Sequence, residues 1–177
     1  MVAGEIDPGR PGAWRTKMAA FNSFGHLALK VRDLEASVGF YEKLGFPEFL
    51  RLTEEDGRPW IVYIRFEDNL YLELFPGGTE PVNQTATGTN HLCLTVDDIE
   101  ETARYLSTAG IPLTSPLDPA KRGVDRNRGM WIEDPDGNRI EIMEMAKNCV
   151  QWEAIAKLKA GGGPTSLVAP LRPKASA

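Results

Sequence analysis

The chain has 177 residues, of which 42% are hydrophobic, and a formal net charge of −5 at pH 7. This length suits one domain or two small modules, and this composition excludes fibrous and membrane-spanning proteins. The negative charge argues against a nucleic-acid-binding protein, because contacts with phosphates usually require a basic surface. No stretch has the pattern of a signal peptide or a membrane span, so we expect a cytoplasmic protein that binds neither nucleic acid nor membrane.

Residues 1–19 are rich in glycine, proline and charge and are expected to be disordered. Residues 20–84 are predicted to form a first βαβββ module. The sequence HLALKV, which begins at His26, alternates apolar and polar side chains as a half-buried strand does. Asp33 is a suitable N-cap for the helix that follows, and Gly45 is a suitable end. The runs FPEFLRL, WIVYIRF and LYLELF then predict three strands.

Residues 85–146 repeat this order and are predicted to form a second βαβββ module. The strand HLCLTV begins at His91, and Asp98 with Glu101 forms a capping box for the next helix. The runs IPLTSPL, GMWIED and RIEIMEM predict three more strands. Neither module has enough core to fold alone, so we expect the two modules to pack together.

The end of the chain follows a different pattern. Residues 147–160 have apolar positions at helical spacing, which predicts a C-terminal helix. Residues 161–177 offer too little apolar surface to offset the entropy of ordering, so we expect a disordered tail. The two cysteines, Cys93 and Cys149, have no metal-binding spacing and are expected to be reduced.

Each module has one histidine at the start of its first strand and one glutamate in its last strand. The chain contains only two histidines, and the glutamates lie at matching intervals after them. A strand histidine or an edge-strand glutamate is, taken singly, more often structural or solvated. If the first and last strands of each module are neighbours, however, two imidazoles and two carboxylates converge on one face of a curved sheet. The predicted metal ligands are His26, Glu73, His91 and Glu141.

This mixed set of nitrogen and oxygen donors suits a divalent ion such as Zn²⁺, Ni²⁺, Co²⁺, Mn²⁺ or Fe²⁺. A cation would also relieve the repulsion between two carboxylates that face one cavity. The sequence therefore predicts an α+β fold in which two βαβββ modules form a curved, cup-shaped mixed sheet around a metal site.

Other side chains are predicted to contact a substrate. Those that share a face with the two glutamates should line the cavity, namely Tyr71, Phe75 and Met143. Arg122 lies in the basic loop AKRGVDRNRG, which is either a lid that binds an anionic group or a solvated loop. Trp60 and Trp131 are expected in the core or between the modules.

Four motifs resemble those of the vicinal oxygen chelate superfamily, which includes glyoxalase I, methylmalonyl-CoA epimerase, fosfomycin-resistance enzymes and extradiol dioxygenases. The motifs are GHLALKVRDLEASVGFYEKLGF, LYLELF, NHLCLTVDDIEETARYL and EDPDGNRIEIME. The resemblance covers roughly residues 21–145 and implies paired βαβββ modules that form a cupped metal site. A His-Glu-His-Glu ligand set is most similar to that of glyoxalase I.

The resemblance implies a lyase or isomerase that moves a proton on a small carbonyl or thioester substrate through a metal-stabilised enediolate or enolate. Glu141 would be the catalytic base, assisted by Glu73. Lys30 stands where bacterial glyoxalase I usually has an arginine that holds the glutathione carboxylate, and Gly77 stands where it usually has an asparagine. Lys30 is accordingly expected to bind an anionic group as a point charge.

Alternatives with the same fold are a coenzyme A thioester epimerase, a ring-cleaving Fe(II) dioxygenase and a drug-sequestering binding protein. A homodimer is expected, because exposed module edges and symmetric repeats favour isologous pairing. The metal site would then lie either within one chain or between two chains.

Overall fold

The computed structural model describes residues 24–83 and 88–166. Within these ranges the chain folds into seven strands and three helices, which confirms the predicted α+β class. The segment 1–19, predicted to be disordered, lies outside the described residues, as do most of the predicted tail at 161–177 and the predicted module boundary at 84–85. No helix in the described part of the chain is long and apolar enough to cross a bilayer.

The first module is the predicted β-α-β-β-β unit. Its elements are β1 (His26–Lys30), α1 (Leu34–Lys43), β2 (Glu48–Thr53), β3 (Pro59–Glu67) and β4 (Leu70–Phe75). The sheet order is β1-β4-β3-β2, and β1 pairs with β4 in parallel. The carboxylate of Asp33 caps α1 by accepting a hydrogen bond from the Ala36 amide at 3.0 Å. The first and last strands are therefore neighbours, which is the condition under which the sequence places His26 beside Glu73.

The second module has one strand fewer than predicted. Its elements are β5 (Leu92–Val96), α2 (Ile99–Thr108), β6 (Arg128–Glu133) and β7 (Arg139–Glu144), in the sheet order β5-β7-β6. Again the first and last strands pair in parallel. Asp98 caps α2 by accepting hydrogen bonds from the amides of Glu100 and Glu101 at 2.9 and 2.8 Å. The first and last strands thus pair in the same way in both modules.

The run IPLTSPL at 111–117 was predicted as a strand, and this prediction is wrong. In the structure the segment is irregular, and the Thr114 amide donates a backbone hydrogen bond to the Trp131 carbonyl at 2.8 Å. Pro112 and Pro116 lie on either side of Thr114 and have no amide hydrogen to donate. A regular ladder beside β6 therefore cannot form.

Both modules contribute to one hydrophobic core. The buried side chains from the first module include Val38, Tyr41, Val62, Ile64 and Leu72, and those from the second include Ile99, Leu106, Ile132 and Ile140. Separating the modules would expose these side chains to water, which is unfavourable in proportion to the apolar area. The shared core therefore fixes how the modules lie against each other.

A buried polar network ties α1 to the turn between β6 and β7. Asp134 accepts a hydrogen bond from the Tyr41 hydroxyl at 3.1 Å, and Asp136 accepts one from the Ser37 hydroxyl at 3.3 Å. The Arg32 guanidinium also contacts Asp136, at 2.9 Å. Burial, followed by the charge of Asp134, raises the pKa of Tyr41 well above its usual value. A buried carboxylate is tolerated only with such partners, so the network holds the modules in one arrangement.

The third helix, α3 (Val150–Lys159), lies at the surface and buries none of its side chains. It is held to the loop before β6 by Arg126, whose Nη1 donates to the Glu153 carboxylate at 2.6 Å and to the Asn148 carbonyl at 2.5 Å. The helix is therefore attached to the second module by polar contacts at its first turn.

Candidate metal centre

Two histidine–glutamate pairs lie on the solvent-facing side of the two sheets. His26 Nε2 lies 3.5 Å from Glu73 Oε2, and His91 Nε2 lies 3.3 Å from Glu141 Oε2. The parallel pairing of β1 with β4, and of β5 with β7, brings the members of each pair together. We call His26 with Glu73 the first half-site and His91 with Glu141 the second half-site. The ligand face is the face of each sheet that contains its half-site.

The donor atoms of each half-site suit a divalent ion. Bonds of about 2.1 Å at angles between 90° and 109° place two ligand atoms about 3.0–3.4 Å apart. The two measured separations, 3.5 and 3.3 Å, are close to this range. The histidine side chains are 44% and 33% exposed and the glutamates 14% and 25% exposed, so ions in solvent can reach all four.

The two half-sites do not meet within one chain. Among residues 24–83 and 88–166, no group of three or more His, Cys, Asp or Glu side chains could hold a metal ion. The structure therefore brings each predicted histidine to its predicted glutamate but does not bring all four ligands together. Each half-site offers one nitrogen and one oxygen donor.

Aromatic rings surround the first half-site. The Tyr71 ring stacks on the His26 imidazole, with centroids 5.3 Å apart and planes 20° apart. Tyr63 and Phe49 lie 5.7 and 5.8 Å from Tyr71. A β-bulge in β2 leaves Phe49 without a cross-strand partner, which explains how its ring reaches this face. Partial burial, followed by the charge of Glu73, raises the pKa of the Tyr63 hydroxyl.

The second half-site has an indole and a guanidinium instead. The Trp131 ring meets the His91 imidazole edge-on at 5.0 Å, and the Arg139 guanidinium lies 4.2 Å above the Trp131 ring. Trp131 was expected in the core or between the modules. It is partly exposed and lies opposite Glu141 in the β6–β7 ladder, on the ligand face, so it is not part of the core. In the sequence RIEIM, alternate residues lie on the same face of the strand, so Arg139 shares the face of Glu141. This pattern could have predicted that the Arg139 guanidinium lies near the second half-site.

Trp60, which was also expected in the core or between the modules, is 49% exposed and so is not part of the core. Cys93 lies beside the second half-site, opposite Glu141 in the β5–β7 ladder. Although Cys93 is exposed, partial desolvation of its thiol, followed by the charge of Glu141 and a hydrogen bond to it, raises the pKa of the thiol to about 11. The Cys93 thiol of the metal-free protein is therefore protonated at neutral pH.

The other residues predicted to bind substrate have different surroundings. Lys30 is exposed at the end of β1, opposite the partly buried Phe75 of β4. The Met143 sulfur accepts a hydrogen bond from the buried Asn127 amide at 3.4 Å. Arg122 donates to carbonyl oxygens of its own loop at 2.8 and 3.3 Å. The structure thus brings Tyr71 and Phe75 near the first half-site, while Arg122 contacts its own loop.

The basic loop before β6 uses two of its arginines in ion pairs within the chain. Arg126 pairs with Glu153, and Arg128 pairs with Glu144 and, at 2.8 Å, with Glu100. The hydrogen bonds from Arg128 lower the pKa of the Glu144 carboxyl. These contacts favour an anchored surface loop over a lid that presents its arginines to a substrate.

Comparison with known proteins agrees with this architecture. Residues 23–142 match the model of the Glyoxalase/Bleomycin resistance protein/Dioxygenase superfamily. The chain is 28% identical over 152 residues to a lactoylglutathione lyase of Pseudomonas aeruginosa, with 71% of this chain and 84% of that protein covered. It is also 28% identical over 123 residues to the lactoylglutathione lyase of Escherichia coli O157:H7, with coverages of 67% and 90%.

Solved structures show the same fold. A glyoxalase family protein from Enterococcus faecalis superimposes with a TM-score of 0.58 and 26% identity, covering 70% of this chain and 98% of that one. The resemblance seen in the sequence is confirmed by these matches. The chain belongs to the Glyoxalase/Bleomycin resistance protein/Dioxygenase superfamily.

Proposed function

We propose that this protein is a glyoxalase I-like, metal-dependent lyase or isomerase that moves a proton between adjacent carbons of a small carbonyl substrate. The main support is the pair of half-sites, whose donor atoms lie 3.5 and 3.3 Å apart at equivalent positions of a repeat. The similarity to two lactoylglutathione lyases supports the same reaction class. All four ligand positions hold a His or Glu, which favours this class over a sequestering protein that has no need of a metal.

We further propose that the centre is completed between two copies of the chain, with the first half-site of one facing the second half-site of the other. One half-site offers two ligands, whereas catalytic sites for zinc-like ions usually have at least three protein ligands. Both β1 and β5 are edge strands of their sheets, and a free edge favours pairing with another chain. A two-fold symmetric dimer repeats this contact and so would contain two centres.

The four side chains have distinct roles in this proposal. A divalent ion held by them supplies Lewis-acid stabilisation of the negative charge that develops on a substrate carbonyl oxygen. Glu141 is the general base that takes a proton from one carbon and returns it to the neighbouring carbon, and Glu73 assists. Tyr71 and Trp131 pack against the two imidazoles and hold their ring planes.

Gly129 gives the proposed base room to move. A Cβ atom built on Gly129 would lie 3.4 Å from Glu141 Oε1, in van der Waals contact with the carboxylate. The absence of a side chain there leaves space beside the carboxylate. A base that transfers a proton between two carbons needs such space, because it must approach both positions.

The proposal is tested with Glu141→Gln, which keeps an oxygen donor but removes the base. Metal-loaded protein is assayed with hemithioacetals of glutathione and other thiols. We expect the variant to retain its metal and to lose activity by about 10²-fold or more, as general bases usually contribute. Glu54→Gln, at an exposed carboxylate in the turn after β2, is the control and should keep full activity.

A loss smaller than about tenfold would show that Glu141 is not the base. Oxygen uptake is recorded during turnover of the iron-loaded protein. Stoichiometric consumption of O₂ would replace the lyase proposal with a ring-cleaving dioxygenase, because proton transfer between carbons consumes no oxygen.

A further inference from the structure

The Arg139 side chain is held at the second half-site without an acidic partner. It is partly buried, its guanidinium lies 4.2 Å over the Trp131 ring, and Trp131 in turn contacts the His91 imidazole at 5.0 Å. Within residues 24–83 and 88–166, no carboxylate lies within 4 Å of Arg139, including that of its cross-strand neighbour Glu133. A partly desolvated cation without a counter-ion is unfavourable, and an anionic ligand would relieve that cost.

Most other arginines of the described chain are already neutralised by carboxylates. Those in ion pairs are Arg32, Arg51, Arg58, Arg65, Arg126 and Arg128. Arg139 therefore differs from them in its lack of an ion pair. Arg65, which lies opposite Tyr71 on the ligand face of the first module, is neutralised by Asp68. Arg104, which also has no ion pair, is exposed on α2 and provides a natural comparison.

We propose that Arg139 binds a carboxylate of the substrate next to the metal centre, which makes an anionic carbonyl compound the preferred substrate class. This inference rests on the proposed function. It differs from the sequence expectation, which assigned anion binding to Lys30 and to the loop of Arg122.

The stacked geometry suits this role. An arginine that stacks on an aromatic ring uses the face of its guanidinium, which leaves the N–H groups at the edge free to donate in the plane. Two of these N–H groups match the two oxygens of a carboxylate, which a lysine ammonium cannot do. The indole thus fixes the orientation of the guanidinium before a ligand arrives, and less side-chain entropy is lost on binding.

The spacing from the metal ligands suits a small substrate. Arg139 and Glu141 lie on the same face of β7, and residues two apart on a strand are separated by about 6.8 Å. At this distance Arg139 does not neutralise the proposed base. A compound with a carbonyl at the centre and a carboxylate a few bonds away would reach both positions.

The test compares two metal-chelating hydroxamates, one short and neutral and one with a longer tail that ends in a carboxylate. Acetohydroxamate has a neutral tail, and succinic acid monohydroxamate has a carboxylate on its tail. Binding of each probe to the metal-loaded full chain is measured by calorimetry for wild type, Arg139→Gln, Arg139→Lys and Arg104→Gln. Arg104→Gln is the matched control, because it removes the same charge from an exposed position that faces away from any proposed ligand. Thermal melting checks that each variant is folded.

We expect Arg139→Gln to weaken binding of the carboxylate probe by about tenfold or more, since a charged, two-point hydrogen bond is lost. The neutral probe should change by less than about twofold, because it does not reach this residue. Arg139→Lys should give an intermediate loss, and Arg104→Gln should affect neither probe.

Equal effects of Arg139→Gln and Arg104→Gln on the carboxylate probe would overturn the inference and leave the metal centre intact. If neither probe binds metal-loaded wild type, the proposed metal centre itself fails, and the role of Arg139 fails with it. Binding of the neutral probe therefore distinguishes a failure of the proposed metal centre from a failure of the proposed role of Arg139.

Discussion

The two modules are alike where they hold the proposed ligands and different away from them. In both, a parallel pair of first and last strands brings a histidine nitrogen to within 3.5 Å of a glutamate oxygen. The first module has a fourth strand, β2, at the far edge of its sheet, and the second has only an irregular segment at 111–117. The parallel pair formed by the first and last strands of a module is therefore enough to set the His–Glu geometry.

The surroundings of the two half-sites show what the other strands of each module contribute. The bulge in β2 supplies Phe49 to the rings around His26, whereas β6 supplies Trp131 to the second half-site, with Arg139 stacked on it. The first half-site is thus mainly aromatic, and the second combines an aromatic ring with a cation. Under the proposed function, both half-sites would hold the metal, and their different surroundings would contact different parts of a substrate.

The largest expected effect tests whether the half-sites are equivalent. His26→Ala and His91→Ala each remove one of four ligands, and even the loss of a group that only orients a ligand weakens metal binding by about 10- to 100-fold. Both variants should therefore lose about 100-fold or more in affinity for Zn²⁺ or Ni²⁺, measured by competition with a chromophoric chelator. If only one variant lost affinity, the other half-site would not be part of the centre.

The next prediction concerns the thiol beside the second half-site, where the first half-site has Ala28 at the equivalent position. The pKa of Cys93 is raised to about 11 by burial and by Glu141. Alkylation by iodoacetamide requires the thiolate, so its rate near pH 8 should be about 100-fold lower than for an ordinary cysteine. The rate should rise with a midpoint near pH 11, and Glu141→Gln should lower that midpoint. A midpoint near pH 8.5 would contradict the described surroundings.

The raised pKa of Cys93 also predicts how the stability of the folded protein changes with pH. The folded protein keeps the Cys93 proton to higher pH than the unfolded chain does, because the thiol has its ordinary pKa when unfolded. Its contribution to stability is therefore fully present below about pH 9 and is lost as the pH rises towards 11. Cys93→Ser should show a smaller decline in melting temperature over that interval, with the two curves converging at neutral pH.

The smallest effect concerns the junction between the modules. Tyr41→Phe removes the buried hydroxyl that donates to Asp134 and should lower the free energy of unfolding by about 1–3 kcal/mol in urea titrations. Tyr105→Phe is the control, since its hydroxyl donates to the Lys43 carbonyl across the same junction but at an exposed position. We expect less than about 0.5 kcal/mol from the control. Equal losses would mean that burial of the network does not matter.

Much of this organisation could be predicted from the repeat. Two copies of one motif, each with a histidine and a glutamate at matching intervals, predict the repeated modules and single out the four His and Glu side chains. The parallel pairing of the first and last strands is seen only in the structure. The prediction of a strand at 111–117 was wrong because it considered only the alternation of apolar and polar side chains. Pro112 and Pro116 have no backbone N–H group, so they cannot donate the hydrogen bonds that a strand requires. The position of Phe49 depends on a bulge, which has no clear sequence pattern.

The separation of the half-sites within one chain could not be predicted at all. It depends on how α1 packs against the turn that contains Asp134 and Asp136, and this packing joins residues about 100 positions apart in the sequence. A local pattern of apolar and polar residues contains no information on such a contact. Only the structure shows that, among residues 24–83 and 88–166, the two half-sites lie apart from each other.

The most direct test of the account is the metal content of a mixed dimer. His26→Ala and His91→Ala chains are co-expressed, and bound divalent ions are counted by mass spectrometry beside wild type and each variant alone. If the centre lies between chains, a mixed dimer has one intact centre, so an equal mixture should hold about one quarter of the wild-type metal while each variant alone holds almost none. A mixture that holds no more metal than the separate variants would contradict the proposed centre between two chains.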